Sequence, residues 1–366
     1  MKNRIPELDG VRGIAVLLVF FVHIIPQYVP TGGLGVDVFF VLSGYLITNI
    51  LLNELDRTGH INYKAFYVRR ALRLIPALIA VLIFATVYAV TRGHSWASVA
   101  STAALVLGYA ANWPLAYDRF DLLGIVPHAW SLAVEEHFYL LWPALLAWLH
   151  RKYSALTIAR IIIALVVAVA VWRAFLLLSG STENRCYFGT DTRIDGPLVG
   201  SLAAMLARTS FQITKPVAIG AAAILTFGLF RSNAHGASYF LGFGLAFSLS
   251  VSIAMLWLLQ YRDTWIHRAL RSRVLTFTGQ ISYSLYLWHF ALILALGQHV
   301  KWSRGVTLGI LVLCYAVAVA SYYLIERPFL HMKDRAFTAN PTYQPSQSSP
   351  LRSVPDAASP SRAARN

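Results

Sequence analysis

Apolar runs of about 20 residues, each long enough to cross a hydrocarbon layer about 30 Å thick, recur along almost the whole chain. No other feature constrains the fold so strongly, because inside a bilayer the backbone polar groups of a segment must be paired without help from water. The chain therefore reads as an all-α integral membrane protein, a polytopic bundle of about ten transmembrane helices. Composition agrees: 57% of the 366 residues are hydrophobic and only 13% are charged, about half the charge of a soluble domain.

About eleven runs reach the required length. Ten lie near 11–29, 33–53, 74–91, 129–149, 158–178, 193–208, 216–231, 237–259, 277–298 and 306–325. The first has the length of a signal peptide, but no small-residue cleavage site follows it and Arg12 opens it, so it is kept as a span. The remaining run, 98–113, is short, rich in Ala, Ser and Thr, and broken by Gly108, Asn112 and Pro114.

Charge decides how that run is placed. Thirty-one Lys and Arg against sixteen Asp and Glu give a formal charge of +15. The excess sits in short clusters between apolar runs, a pattern that sets membrane orientation and does not indicate nucleic acid. If 98–113 does not cross, the clusters at Arg57 to Arg73, Arg151/Lys152, Arg208/Lys215, Arg262 to Arg273 and Arg327 onward fall on one side with Lys2 and Arg4. If it crosses, every later cluster faces outward, against the positive-inside rule. The expected arrangement has both termini cytoplasmic and 98–113 re-entrant or interfacial.

Residues 1–335 form one membrane domain on this reading, and 336–366, a stretch of Pro, Ser, Ala, Asn and Arg with little to bury, a disordered cytoplasmic tail. Any chemistry then belongs to the membrane part. Cys186 and Cys314 have neither disulfide-framework nor metal-site spacing, which sets aside a zinc hydrolase. No inverted pair of broken helices at matching positions points to a transporter.

Ionisable groups inside spans are costly and mark function. Arg12 and His23 are eleven residues apart, about 20° past three helical turns and about 16 Å along the axis, so one helix face carries both. They read as an anion clamp at the rim with an acid/base deeper in the same channel, or as a snorkelling arginine and a core histidine. Arg70 and Arg73, three apart, can grip one polyanion or simply anchor a cytoplasmic helix end. The segment from Trp130 to Tyr139 sets Glu135, Glu136 and His137 near the outer end of the fourth span. One of the two glutamates is expected to hold the His23 imidazole as a carboxylate does in a triad, unless the group sits in headgroups. Asp37 enters the bundle among Gly33, Gly35 and Gly44, which permit close helix packing, or lies at the outer interface. Arg193 and Asp195 either line a substrate mouth or form an ion pair. His289, mid-span among aromatics, reads as a structural hydrogen bond to a neighbouring helix, and Arg173 as snorkelling outward.

These residues resemble the motifs of acyltransferase family 3, multi-span bacterial membrane enzymes that O-acylate sugars and related molecules. The resemblance runs to about residue 330. It comprises Leu8-Asp9-Gly10-Val11-Arg12-Gly13, the Arg-x10-His spacing ending at His23, the Gly-Val-Asp-x-Phe-Phe-x-Leu-Ser-Gly block around Asp37 and Arg-x-x-Arg at Arg70 and Arg73. Trp-Ser-Leu-x-x-Glu from Trp130 to Glu135, Arg193/Asp195, Ser-Tyr-Ser-Leu-Tyr-Leu-Trp-His ending at His289 and Glu326-Arg327-Pro328 complete it. It implies a protein of the bacterial inner membrane that takes acyl-CoA, usually acetyl-CoA, as cytoplasmic donor, needs no metal, and acylates a carbohydrate or lipid-linked saccharide.

On that resemblance His23 and Glu135 are the catalytic candidates, and Arg12, Arg70 and Arg73 the binders of CoA phosphates. Asp37, Trp130, Arg193, Asp195 and His289 are the candidates for the acceptor site. Outward Asp195 and Glu135 would favour acceptor entry from the outer side. The sequence carries no SGNH hydrolase-like segment, so direct transfer, or handover to a separate protein, is expected. A small-molecule acceptor such as a macrolide, a proton-coupled transporter using His23 and Glu135 as relay, and a scaffold in polysaccharide assembly are the competing readings.

Overall fold

The computed structural model describes residues 5–230, 236–261, 263–297, 300 and 303–338, with side chains as far as 332. It is helical, with no strand among the described residues. The helices are α1 (Pro6–Ile24), α2 (Leu34–Thr58), α3 (Tyr63–Thr91), α4 (Trp96–Leu107), α5 (Asn112–Ala116), α6 (Trp130–Lys152), α7 (Ala155–Leu178), α8 (Glu183–Phe188) and α9 (Thr190–Arg193). They continue with α10 (Asp195–Leu206), α11 (Lys215–Phe230), α12 (Gly244–Gln260), α13 (Trp265–Leu270), α14 (Arg273–Gln280), α15 (Ser282–Gly297), α16 (Arg304–Ser321) and α17 (Arg327–Thr338). Two π-turns, Tyr239–Phe243 and Tyr322–Glu326, lead into α12 and α17. From residue 339 the expected tail lies outside the described residues, while 336–338 close α17.

Five helical stretches are long and apolar enough to cross a bilayer: α2, α3, α7, the Tyr239–Gln260 stretch and the Arg304–Met332 stretch. A sixth is the pair α14 and α15, bent by 72° at their junction. α1 and α6 have 19 and 23 residues, but their polar groups keep them outside that set. The chain is thus a multi-pass all-α membrane protein, and ten crossings remain an expectation of the sequence. α4, with 12 residues, extends about 18 Å and cannot cross alone. It stops at Gly108 and Tyr109, whose φ is +52°, so the chain turns back through α5 toward α6.

α10 also has 12 residues, nearly all buried, and packs on α2, α7 and α12. Glycine sets the α2–α10 contact: a methyl on Gly44 would stand 1.9 Å from the Pro197 carbonyl oxygen, and one on Gly200 2.0 Å from that of Val41. Only backbone against backbone fits there. α1 lies against α14 and α15. Serine and threonine side chains cap α4, α7, α8, α14 and α16, accepting from backbone N–H groups that would otherwise be unpaired.

Candidate active site

Three polar centres lie inside the bundle. The first surrounds Arg12 and Arg70. Arg12 donates to the Ser282 hydroxyl at 3.0 Å, joining α1 to the start of α15. Arg70 is paired with Glu136 at 2.5 Å and lies over the Tyr139 ring, 3.3 Å from its centroid. Glu135, one residue earlier on α6, accepts from the hydroxyls of Ser43 at 2.8 Å and Tyr139 at 3.3 Å, and lies in electrostatic reach of Arg70 and Arg12. Glu326, on the second π-turn, accepts from Ser284 and feels Arg73 and Arg12. The structure therefore gathers Arg12, Arg70, Arg73 and Glu135, but places Glu135 with the arginines that were expected at the rim. Glu135 of α6 thus stands within electrostatic reach of Arg70 on α3, whose guanidinium pairs with the adjacent Glu136.

The second centre is a group of imidazoles. His23 Nδ1 lies 2.7 Å from the Val19 carbonyl oxygen and 3.3 Å from His289 Nε2. His289 Nδ1 in turn faces the carbonyl oxygens of Tyr286 at 2.7 Å and Leu285 at 3.0 Å. His128 Nε2 lies 2.9 Å from the Leu287 carbonyl, and the Tyr286 hydroxyl donates to the His128 carbonyl at 2.8 Å. The Phe290 ring covers His23 at 4.1 Å between centroids. Glu135 is absent from the partners of His23 among the described residues; the expected carboxylate–imidazole contact is replaced by Val19 and His289. His289 Nδ1 faces carbonyls of its own helix, and its Nε2 meets His23 on the neighbouring α1, a bond between helices of the kind the sequence suggested. Although histidines cluster, no group of three or more His, Cys, Asp or Glu among the described residues is arranged to hold a metal ion.

The third centre is a pair of buried ion pairs. Arg193 NH2 meets Asp37 at 2.6 Å, and Tyr239 donates to Asp37 at 2.9 Å. The guanidinium lies 5.0 to 5.9 Å from the ring centroids of Tyr187, Tyr239, Phe40 and Trp130. Asp195 is paired instead with Arg173 at 2.7 Å, and Arg173 also donates to the Thr192 and Phe240 carbonyls. Arg173 is 1% exposed, so the expectation that it snorkels outward is wrong. Asp37 is buried inside the bundle, and Arg193 and Asp195 are not paired with each other: the α9–α10 junction falls between them and aims them at different helices.

Near this centre Asp191, which lies outside the predicted spans, accepts from both Arg185 and Trp172. Burial pushes the Asp191 carboxyl up, but those bonds override it and hold it below the usual carboxylate range.

Sequence reasoning missed Tyr239, which no local pattern marks, and gave no role to Ser43 and Ser282, although both stand inside motifs that it quoted. Glu326 was within reach, as an ionisable group at the end of the last apolar run.

Arginines, carboxylates and imidazoles are gathered inside a multi-pass helix bundle, where ionisable groups are costly and mark a candidate site. The acyltransferase domain family matches residues 5–326, and the chain belongs to it. It is 33% identical over 319 residues to the peptidoglycan O-acetyltransferase OatA of Listeria monocytogenes, covering 80% of this chain and 50% of that protein. To the O-acetyltransferase OatA of Staphylococcus aureus it is 30% identical over 363 residues, covering 92% of this chain and 59% of the relative. The chain thus spans half to three fifths of these curated relatives. No solved structure matches it.

Proposed function

We propose that the chain is a membrane-embedded O-acetyltransferase that moves the acetyl group of cytoplasmic acetyl-CoA to a hydroxyl of a carbohydrate, such as a surface polysaccharide, exopolysaccharide or lipid-linked saccharide. Family membership supports acyl transfer, and the relatives' names support an O-linked carbohydrate product. The observation that carries the reading is on α1: Arg12 stands in an arginine cluster, and about 16 Å along the same helix His23 stands in the imidazole group.

A donor with a phosphorylated end and a reactive thioester end, joined by a long flexible arm, matches that separation. Arg12, Arg70 and Arg73 would hold the phosphates. Arg70 Nε is buried with no hydrogen-bond partner among the described residues, a donor left over for an anion. His23 would take the proton of the acceptor hydroxyl as its oxygen attacks the thioester carbonyl. The C–S bond then breaks, the thiolate takes the proton from the imidazolium, and an ester and free CoA leave.

The test is transfer of label from radiolabelled acetyl-CoA into cell-envelope glycans by membranes carrying wild type or His23→Ala at matched expression. Label in a base-labile ester with wild type alone is the expected result. Equal labelling by both removes His23 from the role of base, and no labelling of any glycan by wild type overturns the carbohydrate acceptor.

A further inference from the structure

We infer that His289 is a positioning residue that sets the tautomer of His23, in the place a carboxylate holds in a catalytic triad. The inference rests on the acyltransferase reading for its kinetic consequences, but its structural content does not need it.

The chain of protonation states follows from which atoms face which. Backbone carbonyls only accept, so His289 Nδ1, with the Tyr286 oxygen at 2.7 Å and the Leu285 oxygen at 3.0 Å, carries the proton. A neutral His289 therefore presents a bare Nε2. That lone pair faces His23 Nδ1 at 3.3 Å, while the Val19 oxygen faces the same nitrogen at 2.7 Å. Two acceptors converge on His23 Nδ1, so the proton must be there, and the opposite tautomer would set three lone pairs against one another. His23 Nε2 is left bare, with no protein partner among the described residues, which is the form a general base requires.

The Val19 carbonyl alone is a weaker device, since it belongs to the same helix and a ring can turn away from it. His289 adds an acceptor on a second helix, and its own backbone is pinned. The Tyr286 hydroxyl donates to the His128 carbonyl at 2.8 Å and lies 2.6 Å from the Ser131 hydroxyl, while His128 Nε2 bonds the Leu287 carbonyl at 2.9 Å. The start of α6 thus fixes the stretch of α15 that carries His289. Its 0% exposure and inward bonds fit an orienting group better than the acceptor-binding role that the sequence suggested.

The experiment is solid-state nitrogen NMR of histidine-labelled protein in lipid bilayers, with the His23 signals assigned by their loss in His23→Asn. The wild-type ring is expected to be protonated at Nδ1 and bare at Nε2. In His289→Leu both tautomers are expected, with kcat reduced about tenfold and KM for acetyl-CoA unchanged. His289→Gln, whose side-chain oxygen can accept from His23 Nδ1, is expected to restore the single tautomer and most of kcat. A wild-type ring protonated at Nε2 overturns the inference, as does His289→Gln behaving no better than His289→Leu. The spectra need no substrate, so absence of acetyl transfer by wild type would count against the acyltransferase reading while the tautomer is still decided.

Discussion

Asp37→Asn removes a charge from the bundle with almost no change of shape, and its cost can be worked from its surroundings. The partner, Arg193, has a side chain 3% exposed, against 5% for Asp37. Breaking a buried pair by removing one partner costs about 3–5 kcal/mol, because the remaining charge is left uncompensated. Here two features moderate the loss. Four aromatic rings face the guanidinium, worth up to about 2 kcal/mol as cation–π contacts when desolvated, and Asp195 lies in electrostatic reach although committed to Arg173. The expected cost is therefore near the lower end, about 3 kcal/mol. Arg193→Met strands Asp37 with Tyr239 and should cost a similar amount. The double variant carries neither charge and should be less destabilised than the sum of the two, with a coupling of about 2 kcal/mol. Reversible denaturant unfolding in mixed micelles reads all four proteins. Additivity of the two single effects within about 0.5 kcal/mol would show that the pair is not an energetic unit and refute the reasoning.

Gly200→Ala drives a methyl to 2.0 Å from the Val41 carbonyl oxygen and 2.7 Å from the Tyr45 backbone nitrogen. It should destabilise by at least the ~1–3 kcal/mol of overpacking, while Gly220→Ala, with nothing within 4 Å, should leave the folded yield unchanged or higher. Arg70→Lys loses the planar guanidinium that both pairs with Glu136 and stacks on Tyr139. It should raise KM for acetyl-CoA about tenfold, or ~1.4 kcal/mol, measured by initial rates at varied donor; an unchanged KM would remove Arg70 from the donor site.

The class of fold was legible because the bilayer demands apolar length, and length is visible in a sequence. Not every short helix was. Residues 193–208 read as a full span, yet the structure gives a 12-residue α10 buried among other helices. Apolar composition does not distinguish lipid from protein as the surrounding medium. The glycines of α2 announced close packing correctly, whereas Gly200, the other half of the contact with α10, was passed over although it forms a Gly-x-x-x-Gly pair with Gly196. Arg173 shows the same limit: snorkelling is the cheap solution for an arginine near a helix end, and the structure overrides it by supplying Asp195 and two carbonyls.

The candidate site was legible as a list of costly residues, while their pairing was not, and the way the pairing departed has a physical logic. The sequence suggested that Glu135 would go to His23. In a medium of low dielectric an arginine stays charged, whereas an imidazole can escape the cost by remaining neutral. Carboxylates are therefore worth most against arginines: Glu136 goes to Arg70, Asp37 to Arg193 and Asp195 to Arg173, and Glu135 and Glu326 sit on hydroxyls within reach of Arg12. The histidines are left to backbone carbonyls and to one another. A carbonyl or a neutral imidazole can hold one ring nitrogen without contributing a charge, and so orients His23 while leaving its other nitrogen with a lone pair. The segregation of charge toward the arginines and of neutral acceptors toward the histidines thus sets apart, on a single helix, the end of α1 that would hold an anion and the end that would accept a proton on the proposed function.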